Sequence, residues 1–256
     1  MQKLILGNWK MNGSKSNLES WFSGFFKNVT EFEKTYKGEA SVVLICVPAI
    51  FIEYAQNLAD EYNLKTKNIK VNIGSQDIHF EDKGAFTGNT SALFIKDFGI
   101  KYTLVGHSER RQYEGETSEL VAKKSANAVR NGITPIICVG EPLEVREKRQ
   151  HLAFVKDQTL DSVKNVDLSK IIIAYEPVWA IGTGKVPTPD DIEEINSYIK
   201  KTLTGSGNVA VVYGGSVKSS NAKEIMSLKS VDGVLVGGGS LNGEEFSNIA
   251  FAVQDI

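Results

Sequence analysis

Eight short runs rich in Val, Ile, Leu and Tyr recur along this chain, each separated from the next by a stretch with helical spacing. Few folds satisfy that alternation. The runs are Leu4 to Gly7, Val42 to Cys46, Ile69 to Ile73, Tyr102 to Val105, Thr134 to Val139, Ile171 to Tyr175, Val209 to Tyr213 and Gly233 to Val236. Strands joined through helices pair in parallel, which argues against a sandwich or a helical bundle. Eight parallel strands, each followed by a helix, point to an α/β fold of the (β/α)8 barrel type, with residues 1–256 forming a single domain. A doubly wound open sheet is the competing arrangement, because strand count does not itself establish closure.

The helical gaps carry their own signals. Leu18, Trp21, Phe22, Phe25, Phe26, Val29 and Phe32 recur three and four residues apart, one wide apolar stripe that belongs in a core. Thr188-Pro189-Asp190-Asp191 sets a capping hydroxyl before a proline at the first helical position, with acids in the positive first turn. Thr117 opens another helix, which ends near Asn131-Gly132. With 41% hydrophobic residues in 256, the chain can bury one large core. Its 29 basic and 31 acidic residues leave a formal charge of -2, without a basic block to suggest nucleic acid. No apolar run approaches the roughly 20 residues of a membrane span, and Met1-Gln2-Lys3-Leu4-Ile5 leads directly into a strand pattern, so a cytoplasmic location is expected. Cys46 and Cys138 sit in apolar runs, where free thiols behave as small buried hydrophobes.

In a parallel barrel every segment just after a strand opens on the same face, so polar residues at those points converge although they lie far apart in sequence. Asn8, Trp9 and Lys10 follow the first run, and Gly106, His107, Ser108 and Glu109 the fourth. Glu176 follows the sixth, and Gly214-Gly215-Ser216 and Gly237-Gly238-Gly239-Ser240 follow the last two. Taken singly, each has an ordinary structural reading as a solvated acid, a surface cation, a hydrogen-bonded histidine or a tight turn. Together on one rim they suit proton transfer beside a carbonyl, in which a carboxylate takes a carbon-bound proton while an imidazole and an ammonium stabilise charge on oxygen. The glycine loops offer backbone N–H groups to a phosphate, and neither has the GxGxxG spacing of a dinucleotide site. Pro177 stops pairing just after the acid, and Gly182 and Gly184 supply backbone freedom, a composition that suits a closing lid. Such a lid has a chemical purpose, since an enediolate phosphate exposed to water can expel its phosphate.

Five motifs, in this order, resemble the triosephosphate isomerase family: Gly7-Asn8-Trp9-Lys10-Met11-Asn12, Gly84-Ala85-Phe86-Thr87-Gly88, Val105-Gly106-His107-Ser108-Glu109-Arg110-Arg111, the segment Ala174 to Lys185, and Tyr213-Gly214-Gly215-Ser216-Val217. The resemblance covers essentially the whole chain. It implies a TIM barrel that interconverts dihydroxyacetone phosphate and D-glyceraldehyde 3-phosphate through an enediolate, in glycolysis and gluconeogenesis, without metal or organic cofactor. Carried over residue by residue, it assigns Glu176 as base, His107 as neutral electrophile, Lys10 with Asn8 to substrate and oxyanion contacts, and Glu109 to support of the lysine. The glutamate base with a neutral histidine is what the resemblance to that family implies. Phosphate contacts fall to Gly182, Ser216, Gly237 and Gly238, beneath a lid of Pro177, Val178, Trp179, Ala180, Ile181, Gly182, Thr183, Gly184 and Lys185. Gln76, Phe86, Thr87 and Gly88 belong to a loop whose tip would enter a second copy, so a homodimer is implied, with no nucleic-acid or membrane partner. Asp77 and Gly239 depart from the pattern, in which asparagine and alanine are common, and Asp77 replaces an amide with a charge beside the dimer loop.

Three other functions compete. A Schiff-base aldolase would use similar phosphate loops, although its reactive lysine belongs deep on a strand and Lys10 lies in the first loop. A metal-dependent epimerase needs a ligand cluster that His79, His107 and His151 do not form in sequence. A non-catalytic phosphosugar-binding protein could keep the pocket, but has no use for an intact Glu176, His107 and Lys10.

Overall fold

The computed structural model describes residues 2–36, 41–181, 185, 187–203 and 209–253. Its eight strands are β1 (Leu4–Asn8), β2 (Val42–Val47), β3 (Val71–Ser75), β4 (Tyr102–Val105), β5 (Thr134–Val139), β6 (Ile172–Tyr175), β7 (Ala210–Tyr213) and β8 (Gly233–Val236). They form a closed barrel in sequence order, every neighbouring pair parallel. Closure is made by β8 on β1, with Leu4 opposite Gly233 and Gly7 opposite Val236, which excludes the open sheet.

The helices are α1 (Lys15–Phe32), α2 (Ile52–Asn63), α3 (Ala92–Asp97), α4 (Ser108–Tyr113), α5 (Ser118–Arg130), α6 (Leu143–Glu147), α7 (His151–Ser162), α8 (Pro189–Thr202), α9 (Ser219–Ser227) and α10 (Gly243–Phe251). α1 buries the stripe Leu18, Trp21, Phe22, Phe25, Phe26 and Val29. Thr117 caps α5 by accepting the Leu120 amide, and Thr188 with Asp191 makes a reciprocal capping box on α8, as the spacing requires. One strand is displaced from its expected place. The apolar pattern starts the third run at Ile69, whereas β3 starts at Val71, because the Glu33 carboxylate accepts the amides of Lys67, Asn68 and Ile69 and holds them off the sheet.

Side chains alternate along each strand and so sort into two cores. Leu6, Leu44, Cys46, Leu104, Ile136, Cys138, Ile172, Ala174, Val212 and Leu235 fill the barrel interior. Their neighbours, such as Ile5, Val43, Ile45, Ile137, Ile173 and Val211, face the helices in a larger layer that includes Trp21, Phe22, Phe25 and Phe246. Both cysteines are free and buried, as their apolar runs imply. Trp21 stacks on Phe25 and donates its indole N–H to the Ser240 carbonyl at 2.8 Å, fastening α1 to the loop after β8. No helix among the described residues is long and apolar enough to cross a membrane.

Candidate active site

The carboxyl ends of the strands open into a cavity of 980 Å³. Asn8, Lys10, His107, Glu109, Glu176, Val178, Ile181, Ser216, Gly237 and Gly238 all line it, so residues from five strand ends meet as the barrel geometry requires.

Its pair of buried titratable side chains meets at the start of α4. Gly106 takes a left-handed φ of 64° and turns the chain so that His107 caps the helix. The first two helical amides, which have no partner within the helix, are both used. Ser108 N–H donates to Glu176 Oε2 at 3.1 Å, and Glu109 N–H donates to His107 Nδ1 at 3.2 Å. With Nδ1 accepting, the ring proton sits on Nε2, which lies 2.9 Å from Glu176 Oε1. Both side chains are almost fully buried.

Burial alone would raise the Glu176 pKa, but the charge and hydrogen bond of His107, the Ser108 amide and Lys10 outweigh it and hold the carboxyl below its ordinary value. Burial pulls the His107 pKa down, while Glu176 and then Glu109 pull harder and leave it above the ordinary histidine value. The Glu109 amide acts in the opposite sense, since a second proton could reach Nδ1 only by breaking that bond. What favours charge on the ring is therefore mostly Glu176 itself, and it goes when the carboxylate leaves the ring.

Lys10 sits at φ 53°, a left-handed conformation that typically costs about 1–3 kcal/mol for a non-glycine residue. Two side chains hold it there: Asn8 Oδ1 accepts its N–H at 3.0 Å, and Gln76 Nε2 donates to its carbonyl at 2.9 Å. The Lys10 ammonium is paired with Glu109. Asn8 spends its oxygen on this loop, which leaves Nδ2 as the group it can present to a ligand. On the far side, Ser216 and the glycines Gly237, Gly238 and Gly239 line the cavity. Gly214 is required by Glu176, because a Cβ there would stand 2.9 Å from the Glu176 Cγ.

The start of the segment expected to form a lid is anchored by residues that sequence reasoning missed. Glu141, fully buried, accepts the Trp179 indole N–H at 2.9 Å and the Tyr175 hydroxyl at 3.1 Å. Arg146 lies 3.6 Å from Glu141, over the Trp179 ring, and pairs with Asp191 at the start of α8, so it touches both flanks of the segment. An acid two residues after β5, at the same rim as Glu176, was the available signal. Pro177, Trp179 and Ala180 do not line the main cavity, Lys185 is exposed, and Gly182, Thr183 and Gly184 lie outside the described residues. Phe86, Thr87 and Gly88 are exposed and away from the cavity, whereas Gln76 lies beneath Lys10. Among the described residues, no group of three or more His, Cys, Asp or Glu is arranged to hold a metal.

A buried carboxylate against an imidazole, an ammonium beside them and glycine-rich loops, all at the carboxyl face of a (β/α)8 barrel, have the arrangement of a barrel enzyme's active site. Comparison with known proteins makes this specific. The family model described as triosephosphate isomerase matches residues 3–253. Proteins named triosephosphate isomerase from Psychromonas ingrahamii and Shewanella piezotolerans are 41% and 39% identical, each over 96% of this chain and over 96% and 95% of their own lengths. The crystal structure of triosephosphate isomerase from Bartonella henselae superposes with a TM-score of 0.83 at 34% identity, covering 98% of this chain and 99% of its own. The chain belongs to the triosephosphate isomerase family and is an isomerase.

Proposed function

We propose that this chain interconverts dihydroxyacetone phosphate and D-glyceraldehyde 3-phosphate by proton transfer through an enediolate. The observation that carries the reading is the Glu176 to His107 contact of 2.9 Å, made inside the cavity that Lys10 and the glycine loops share. Glu176 exchanges its bonds to His107 and Ser108 for the substrate, takes the proton from the carbon beside the carbonyl, and returns it to the neighbouring carbon. The His107 Nε2–H, freed of the carboxylate, donates to the carbonyl oxygen as charge develops there, and a proton moves between the two substrate oxygens. Lys10 adds a positive charge paired with Glu109.

Ser216, Gly237 and Gly238, with Gly182 of the lid, hold the phosphate, and the segment from Pro177 to Lys185 closes over the enediolate. Val178 and Ile181 already line the cavity, which supports that closure. The catalytic unit is one domain over residues 1–256, acts in the cytoplasm without metal or organic cofactor, and pairs with a second copy. Pairing is supported by large exposed apolar side chains in the segments after four adjacent strands: Met11 at 97%, Ile50 at 85%, Phe86 at 40% and Tyr113 at 73% exposure.

The test is the rate of conversion of glyceraldehyde 3-phosphate by purified protein, beside Glu176→Ala prepared identically to expose contaminating host enzyme. Fast conversion that falls by several orders of magnitude (~10³-fold or more) in the variant is expected. A near-wild-type rate in Glu176→Ala would sink the mechanism.

A further inference from the structure

α4 carries two groups of the reacting end of the cavity, His107 as its cap and Glu109 in its first turn, yet none of its six residues is buried. Apolar packing, the usual source of a helix's position, is therefore missing, and polar contacts of Arg110 and Arg111 take its place. Arg111 points one way: its Nε donates to the Gly106 carbonyl at 2.8 Å, and Nη2 to the Cys138 carbonyl and Ser162 Oγ. Arg110 points the other way, with Nη2 3.1 Å from Asp77 Oδ2 and Nε 2.6 Å from Glu116 Oε1.

Lys124 of α5, only 4% exposed, completes the cluster by donating to Glu116 and to both Asp77 oxygens at 2.7 Å. Two acids and two bases balance in a place where an unpaired charge would be strongly destabilising. Asp77 is also the neighbour of Gln76, which bonds the carbonyls of Lys10 and Cys46. The dipeptide therefore touches both sides of the Lys10 to Glu109 pair: Gln76 holds the strained Lys10 backbone, and Asp77 holds the helix that bears Glu109.

We propose that Asp77 is a positioning residue for the isomerisation, fixing through Arg110 the placement of α4, and with it His107 and Glu109, against the Lys10 loop. This rests on the catalytic reading above. An asparagine at the position has the same shape but turns N–H donors toward Arg110 or Lys124, leaving Glu116 as the single carboxylate for two cations. With Arg110 released on that side, α4 can shift, and a shift of about 1 Å at reacting groups is worth up to ~10²-fold in rate.

The experiment measures kcat, KM and the thermal midpoint for wild type, Asp77→Asn, Arg110→Met and the double variant. Each single variant is expected to lose about tenfold in kcat with KM held within about twofold, and the double to be no slower than the slower single, because both act through one contact. A folded Asp77→Asn with unchanged kcat, or with changes confined to KM or the thermal midpoint, overturns the proposal, as do losses that multiply in the double. Should Asp77→Asn fail to fold, Arg110→Met decides alone by the same criteria. Wild type without turnover overturns the catalytic reading and this proposal together, whereas active wild type matched by Asp77→Asn overturns the proposal only.

Discussion

Replacing Gly140 by alanine tests whether Glu176 is placed by backbone contact between adjacent strand ends. Gly140 follows β5, and a Cβ built there would lie 1.6 Å from the Glu176 carbonyl oxygen. Its φ is outside the left-handed region, so an alanine is excluded by contact alone and not by its own dihedral angles. Real Cβ atoms essentially never come within 3.0 Å of such a neighbour, and reaching that separation needs roughly 1.4 Å of relative movement. Little slack is available, because Glu176 N–H donates to the Val139 carbonyl at 2.7 Å and Gly140 N–H to Gln158 at 2.7 Å.

A displacement above 1 Å at the base corresponds to a loss of about 10²-fold in kcat, near 2.7 kcal/mol of transition-state stabilisation. Overpacking of this kind destabilises by about 1–3 kcal/mol, or a fall of roughly 4–8 °C in Tm for a chain this long if about 2 kcal/mol is lost. The assay is kcat and KM with a thermal melt. Gly132→Ala serves as comparator. Gly132 ends α5 at the opposite end of the barrel at φ 76°, with nothing within 4 Å of its Cβ, so it should lose about 1 kcal/mol of stability and no activity. Gly140→Ala that folds with kcat within about threefold of wild type would refute the idea that this contact sets the base.

Two further outcomes follow from the site. Because Glu176 is held below the ordinary carboxylate pKa of 4.5 and His107 above the ordinary histidine value, the two titrate as a pair, and the carboxylate step in kcat/KM should fall below pH 4.5, separate from the His107 step at higher pH and with the substrate phosphate ionisation near about 6 divided out. A carboxylate step above that value contradicts it. The same depression makes Glu176 contribute stability that is present above its unfolded pKa and lost as pH falls through the lower folded value, so Glu176→Gln flattens acid unfolding in that window. Met11→Glu places a charge on the most exposed of the rim apolar side chains and should shift the chain toward monomer in sedimentation velocity. An unchanged dimer, or a wild type that is monomeric at every concentration, counts against the pairing.

The barrel was largely legible because its signal is repetitive. Four- to six-residue β-branched runs between helical stripes leave one economical arrangement, and all eight were found, although β3 moved by two residues. That shift has a tertiary cause, since the Glu33 carboxylate is distant in sequence from the three amides it captures. The rim residues were legible for the same reason, as their positions follow from strand ends. Glu141 and Arg146 were not, because nothing local distinguishes a buried acid under an indole from a solvated loop acid.

Asp77 marks the boundary between the two kinds of information. Sequence alone presents it as a charge in place of an amide beside an exposed loop. The tertiary structure surrounds it with Arg110 and Lys124, from helices 33 and 47 residues away in the chain, and turns it into part of a balanced, partly buried cluster. Periodicity is a property of neighbours along the chain, so the sequence by itself determines which segments become strands and helices. The protonation of Glu176 and His107, the strained backbone of Lys10 and the partners of Asp77 depend on distances between segments that touch only after closure, and those the tertiary structure alone decides.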